Sequence, residues 1–150
     1  LAALCKSSTA TKIKGEIMTN KFFVYGTLKI GGRFSRYFDN TRKSSSKAKV
    51  KGFDLYEVSR GFNGYPGIVN GDGVVIGEVH DFDDDVLNQV IEVMDQIEGC
   101  DPNNPERGLY RREVVEAELE NGDKVDVNIY IYNGVTYETS KISSGNWELK

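Results

Sequence analysis

The sequence predicts a predominantly antiparallel α+β domain or small barrel, and three observations carry that reading. Two alternating runs, residues 110–120 and 124–132, flank Asn121-Gly122, where both positions tolerate positive φ and so favour a hairpin. Several further apolar, β-branched runs are strand-sized. One helical pattern covers residues 83–98, with Val86, Leu87, Val90, Ile91, Met94 and Ile97 at i, i+3, i+4 spacing. Several strands with one major helix give the fold class, and a length of 150 residues fits one domain.

In chain order, residues 1–17 (LAALCKSSTATKIKGEI) show no sustained period and read as a tag or disordered leader, or else as a short strand or tail. The single domain is expected over 18–150. Phe22-Phe23-Val24-Tyr25, closed by Gly26, predicts a central strand buried on both faces. After Gly31-Gly32, residues 33–40 predict a short helix carrying Phe34, Tyr37 and Phe38 on one side. A strand is expected over 50–58, a loop over 60–73 around Gly67-Ile68-Val69, and a strand over 74–79. In the helix, Asp83, Asp84 and Asp85 suit the positive N-terminal end and Gly99 supplies a stop. Residues 100–108 hold two of the three prolines and read as a loop before the hairpin.

Composition narrows the chemistry. The chain carries 19 Lys+Arg against 23 Asp+Glu, a net of −4 with no basic block, which argues against nucleic acid as partner. No apolar run approaches the ~20 residues that cross a bilayer, so no membrane partner is expected. Two cysteines, Cys5 and Cys100, and a single histidine, His80, leave no structural zinc set. They leave no Ser-His-Asp or Cys-His site either, unless His80 serves. No metal is expected, a reducing cytoplasm is the expected compartment, and carboxylates, hydroxyls and backbone amides must do any chemistry.

Four features could carry it. Tyr25-Gly26-Thr27-Leu28 runs from a buried strand into a turn whose N–H groups could face an anion, or is an ordinary strand exit; it lacks the Gly-Lys-Ser/Thr ending of a phosphate loop. Glu98 sits where the helix ends, near Asp95 and Asp101. There the helix dipole and like charges both oppose ionisation, giving a carboxyl able to accept and return a proton near neutrality if it is also buried. The alternative is a solvated acidic helix end. Alternation puts Tyr110 and Arg112 on one strand face and Arg111 on the other, so one arginine could approach an acid such as Glu98, or all could be strand-edge charges. Tyr65-Pro66-Gly67 could form a pocket wall or simply a turn. His80 reads as a strand-end side chain and Trp147 as a core or edge anchor.

Taken in order, Phe23-Val24-Tyr25-Gly26-Thr27-Leu28-Lys29, Tyr65-Pro66-Gly67, Gly77-Glu78-Val79, Asp95-Gln96-Ile97-Glu98-Gly99 and Tyr110-Arg111-Arg112 resemble the γ-glutamylcyclotransferase-like superfamily. The likeness is greatest to its compact branch of γ-glutamylamine cyclotransferases and AIG2-like proteins. The resemblance implies a small mixed, mostly antiparallel β-barrel with one major helix and short flanking helices. It also implies an enzyme without cofactor that releases 5-oxoproline from a small γ-glutamyl amide by attack of the substrate's own α-amine. By the same resemblance Glu98 is the general acid/base. Tyr25, Gly26, Thr27 and Leu28, with Tyr65, Tyr110 and Arg112, hold the substrate. A monomer or weak homodimer is expected. Gly31-Gly32-Arg33-Phe34 departs from the relatives' pattern at the pocket's outer wall, and residues 101–108 are long for the compact branch. The competing expectation is a binding module that keeps the pocket without turnover; an ion pair between Glu98 and Arg112 would favour it.

Overall fold

Alternate side chains of Phe22-Phe23-Val24-Tyr25 enter two different apolar clusters, and this division organises the molecule. The computed structural model describes residues 10–13, 16–58 and 64–149, with side chains described from residue 18. Its strands are β1 (Ala10–Ile13), β2 (Glu16–Thr19), β3 (Lys21–Val24), β4 (Arg42–Val58), β5 (Tyr65–Phe82), β6 (Tyr110–Leu119) and β7 (Lys124–Tyr132); its one α-helix, α1, is Leu87–Glu98. Strands β3, β5, β4, β6 and β7 close in that order into a barrel, antiparallel at every seam except β7 beside β3. Phe23 and Tyr25 join an interior cluster to which every barrel strand contributes, including Leu55, Ile68, Ala117 and Val127. Phe22 and Val24 face the other way, into a cluster with Phe82, Val90 and Met94 under α1. The expected doubly buried strand thus lies between barrel interior and helix. Burying each such side chain contributes about 1.5–3 kcal/mol.

The parallel seam is thin, with Phe22 opposite Asn128, and side chains complete it. Asn128 Nδ2 donates to the Thr19 carbonyl at 2.8 Å, and Thr19 Oγ1 donates to the Asp126 carbonyl at 2.9 Å. The hairpin about Asn121-Gly122 forms as expected, with Gly122 at φ 92°.

Three expectations are corrected. The strand expected over 50–58 begins at Arg42. Its polar first half is exposed, and only Ala48 and Lys49 pair with β6, so no apolar alternation is required there. The loop expected over 60–73 is strand from Tyr65 onward, and residues 60–63 lie outside the described residues. Its glycines serve close cross-strand approach rather than turning: a Cβ on Gly71 would stand 2.2 Å from Asp54 Oδ2. Pro66 is tolerated because β3 pairs with β5 only at residues 78–81, leaving β5 one neighbouring strand here. The short helix expected over 33–40 is a single 3₁₀ turn, Ser35–Phe38. Four residues at three per turn offer little common face, so Phe38 is buried while Tyr37 stays exposed and stacks on Phe34.

At the N-terminal side β1 and β2 pair antiparallel, Ala10 opposite Thr19 through Ile13 opposite Glu16. The tag or leader expected over 1–17 otherwise lies outside the described residues, as does Cys5. Among the described residues no helix is long and apolar enough to cross a membrane.

Candidate active site

At the barrel end where β3 and β7 finish and β5 and β6 begin lies a cavity of about 720 Å³. Glu98, Tyr25, Gly26, Thr27, Leu28, Tyr65 and Tyr110 all line it. Arg112, the remaining residue expected at the site, is not among its lining residues.

Glu98 reaches the cavity because α1 stops there. Leu87, Val90, Met94 and Asp95 form the buried face of the helix, and Glu98, one turn beyond Met94 and Asp95, continues it. Gly99 then adopts the left-handed conformation at φ 64°, closing its N–H onto the last turn. The residue is half-buried, with protein around it and the cavity in front. Burial first, and then the charge of Asp95, push its carboxyl from an ordinary 4.5 up to about 7. The C-terminal end of the helix dipole acts in the same sense. Asp101, the other acid expected to contribute, instead accepts the N–H groups of Asn103 and Asn104 in its own loop, at 2.9 and 3.3 Å.

Arg112 meets an acid of α1, one turn earlier than the sequence suggested. Its Nε and Nη2 lie 3.0 and 3.3 Å from the two Asp95 carboxylate oxygens, a two-pronged pair. Tyr130 Oη donates to the same Asp95 at 2.6 Å. Arg111, on the opposite face as alternation requires, pairs with Glu113 and Asn133. The Glu98–Arg112 ion pair that would favour the binding module does not form, and Glu98 faces the cavity as its only acidic lining residue among the described residues.

The loop after β3 supplies donors. Gly26 and Leu28 are buried and Thr27 half-buried, yet their N–H groups find no acceptor among the described residues. A buried N–H without a partner is costly, so three together beside a cavity make a cradle that a bound anion can satisfy. Gly26 is required by contact, since a Cβ there would stand 2.2 Å from Pro66 Cγ. The cradle is pinned from within by Lys29 N–H to the Gly26 carbonyl at 3.0 Å and Phe34 N–H to the Thr27 carbonyl at 2.9 Å. From the barrel, Glu78 accepts Ile30 N–H and His80 Nε2, each at 2.9 Å. Arg42 Nε donates to His80 Nδ1 at 3.2 Å, which fixes the ring proton on Nε2. Although burial opposes it, these bonds hold the Glu78 carboxyl below the usual range. His80 is thus a buried strut of the loop. The composition gave it no such role.

The hydroxyls of Tyr25 and Tyr110 are already committed. Tyr25 donates to the Tyr130 carbonyl and Tyr110 to the Pro66 carbonyl, each at 2.6 Å. Burial foremost raises the pKa of both. They therefore present ring faces and oxygen lone pairs to the cavity rather than a mobile proton. Gly31, Gly32, Arg33 and Phe34 line the cavity, at the outer wall where the sequence put them; sequence reasoning missed Leu109 and Leu149, and Trp147 both anchors the interior cluster and touches the cavity.

Comparison with known proteins agrees with this architecture. The family model described as "Gamma-glutamyl cyclotransferase, AIG2-like" matches residues 22–149. The chain is similar to the Gamma-L-glutamyl-butirosin B gamma-glutamyl cyclotransferase of Niallia circulans, 28% identical over 132 residues, covering 87% of this chain and 78% of that protein. Among solved structures, an AIG2-like protein from Mus musculus superposes with a TM-score of 0.64 at 22% identity, covering 86% of this chain and 88% of that one. YkqA from Bacillus subtilis superposes with a TM-score of 0.61 at 27% identity, covering 87% of this chain but 40% of that one.

Proposed function

The chain belongs to the AIG2-like gamma-glutamyl cyclotransferase family, and on that footing we propose that it releases 5-oxoproline from a small γ-glutamyl amide, with Glu98 as the proton carrier. The observation that carries this reading is a carboxyl facing the cavity with its pKa raised to about 7 and no cation bound to it among the described residues. Near neutrality such a group is divided between its two protonation states, which suits it to take a proton and return it.

The cradle N–H groups of Gly26, Thr27 and Leu28 hold the glutamyl α-carboxylate or the developing oxyanion. Glu98 as carboxylate takes a proton from the substrate's α-nitrogen, which attacks the γ-carbonyl carbon. The new C–N bond closes a five-membered lactam as the amide C–N bond breaks, and Glu98 hands its proton to the departing nitrogen. A second proton passes from the substrate ammonium to the released amine by exchange with solvent, so no water is consumed. Internal attack needs orientation above all, and a pinned loop opposite a fixed helix end provides it. Arg112 acts on the reaction through Asp95 rather than on the substrate. The proposal extends to a cofactor-independent enzyme of a reducing cytoplasm, monomeric or weakly dimeric.

The test is 5-oxoproline release from a panel of γ-glutamyl amino acids and γ-glutamyl amines, including ε-(γ-glutamyl)lysine, by the protein and by Glu98→Gln. Product that depends on Glu98 supports the reading; undiminished turnover by a folded Glu98→Gln variant sinks the assignment.

A further inference from the structure

Within the cyclotransferase reading, on which this inference rests, the glutamyl unit fills only part of the cavity and the rest receives the departing amine. The buried residues Tyr25, Gly26, Leu28 and Tyr110 make its base. Its mouth has a different chemistry: Arg33, Leu109 and Leu149 are exposed there and Phe34 is half-buried. Two exposed leucines at the edge of a cavity are apolar area waiting for a ligand. Among the described residues Arg33 is the only Lys or Arg that lines the cavity. Its guanidinium lies 5.2 Å from the centre of the Phe34 ring, a cation–π contact that limits its freedom without neutralising it. The arginines that do form ion pairs among the described residues are Arg42, Arg111 and Arg112.

We infer that this mouth selects γ-glutamyl derivatives of apolar α-amino acids, Arg33 holding the carboxylate of the departing amino acid while Phe34, Leu109 and Leu149 cover its side chain. A planar guanidinium takes a carboxylate in a two-pronged geometry, and an aromatic face beneath it keeps the plane in place. A departing diamine or polyamine meets the opposite situation. Its second ammonium faces Arg33, and the only acid on the cavity wall among the described residues is Glu98, which the reaction needs for the proton. Arg33 is therefore a specificity-determining residue, and the Gly31-Gly32-Arg33-Phe34 departure in the sequence is where this chain reads its leaving group.

The test uses γ-glutamyl-L-phenylalanine and γ-glutamyl-phenethylamine, which differ only in the carboxylate. The expected ratio of their kcat/KM values is about fivefold in favour of the amino acid, the upper range for an exposed ion pair. Arg33→Gln brings the ratio to about one, and Arg33→Glu turns it toward the amine. An equal ratio in the unaltered protein overturns the inference. So does a fivefold ratio that survives in Arg33→Gln, since Arg33 then serves both substrates alike through the glutamyl unit. If neither compound yields 5-oxoproline while another member of the γ-glutamyl panel does, the inference is overturned; if no member of the panel does, the cyclotransferase reading fails separately. The selectivity of the mouth is then read from the two dissociation constants, with the same ratio and the same loss in Arg33→Gln required.

Discussion

Glu98→Gln is expected to abolish turnover and, from the same physical cause, to strengthen the fold in alkaline solution. In the unfolded chain Glu98 titrates near its ordinary 4.5, whereas in the folded cavity it titrates at about 7. Between those values the folded state binds more protons than the unfolded one, so the contribution of this group to stability falls as pH rises. The penalty is absent below about 4.5 and complete above about 7. At ~1.36 kcal/mol per pH unit the interval corresponds to about 3 kcal/mol, and water in the cavity reduces it to about 2–3 kcal/mol. Gln keeps the shape of the protonated acid without the charge. Urea unfolding of both proteins at pH 4.5 and pH 8.5 measures the effect. The expected result is near-equal stability at the lower pH and a gain of about 2–3 kcal/mol for the variant at the higher, roughly 5–10 °C in Tm. A stability difference that is the same at both pH values would refute the reasoning, because it would mean that Glu98 does not lose its proton in the folded protein at a displaced pKa.

Three further outcomes follow from the same geometry. The pH profile of kcat/KM should fall on its acid side with a midpoint at about 7, where Glu98 gains its proton; a midpoint in the ordinary carboxylate range would remove Glu98 as the base. Asp95→Asn deletes the like charge beside Glu98, so the same limb should move to lower pH. The fold should also weaken by about 2–4 kcal/mol as Arg112 loses its partner, read from the pH profile together with urea unfolding. Gly26→Ala places a Cβ against Pro66 Cγ, so the cradle must shift: KM should rise at least tenfold with a Tm loss of a few degrees, and an unchanged KM would take the cradle out of substrate binding.

The most legible parts of the molecule were those with a local cause. Met94 and its helical neighbours, and the hairpin about Asn121-Gly122, announce themselves by period and by φ tolerance; the hairpin and the end of the helix lie within a residue of expectation, while α1 begins at Leu87 rather than 83, after a 3₁₀ turn over Asp84–Val86. The first half of β4 gave no signal because Arg42 to Lys47 are held by pairing with β5 at a solvated face, where side-chain type is nearly free. Tyr65 to Gly73 misled for the opposite reason, since glycine there answers to an Asp54 side chain on the neighbouring strand that no local window contains. In the site, Glu98 and the Gly26 turn were visible as an acid at a helix end and a glycine after a buried run. The Glu78–His80–Arg42 strut was not, because it joins residues 36 and 38 positions apart through contacts that only barrel closure creates.

On the proposed mechanism, what separates a proton carrier from a salt-bridge anchor in this chain is which of two acids on α1 the strand arginine reaches. Asp95 and Glu98 stand three residues apart on one helix face, and Arg112 extends from β6 to the first of them. It settles on Asp95, where Tyr130 adds a hydrogen bond and burial is deepest. The ion pair satisfies Arg112 and leaves Glu98 without a cation among the described residues, in a poorly solvated wall where the charged form is disfavoured. Had Tyr110 and Arg112 exchanged places along β6, the guanidinium would point into the cavity and hold Glu98 ionised, and the pocket would bind anions without moving protons. Moving the cation by one helical turn therefore changes the chemistry of the pocket while the barrel around it stays the same. The exchange can be approximated in solution by Asp95→Ala, which frees Arg112. If the guanidinium then turns to Glu98, the acid limb of the rate profile drops below that of Asp95→Asn and kcat falls with it. If the two variants share one limb, Arg112 does not reach Glu98 and the choice between the acids is fixed by the backbone alone.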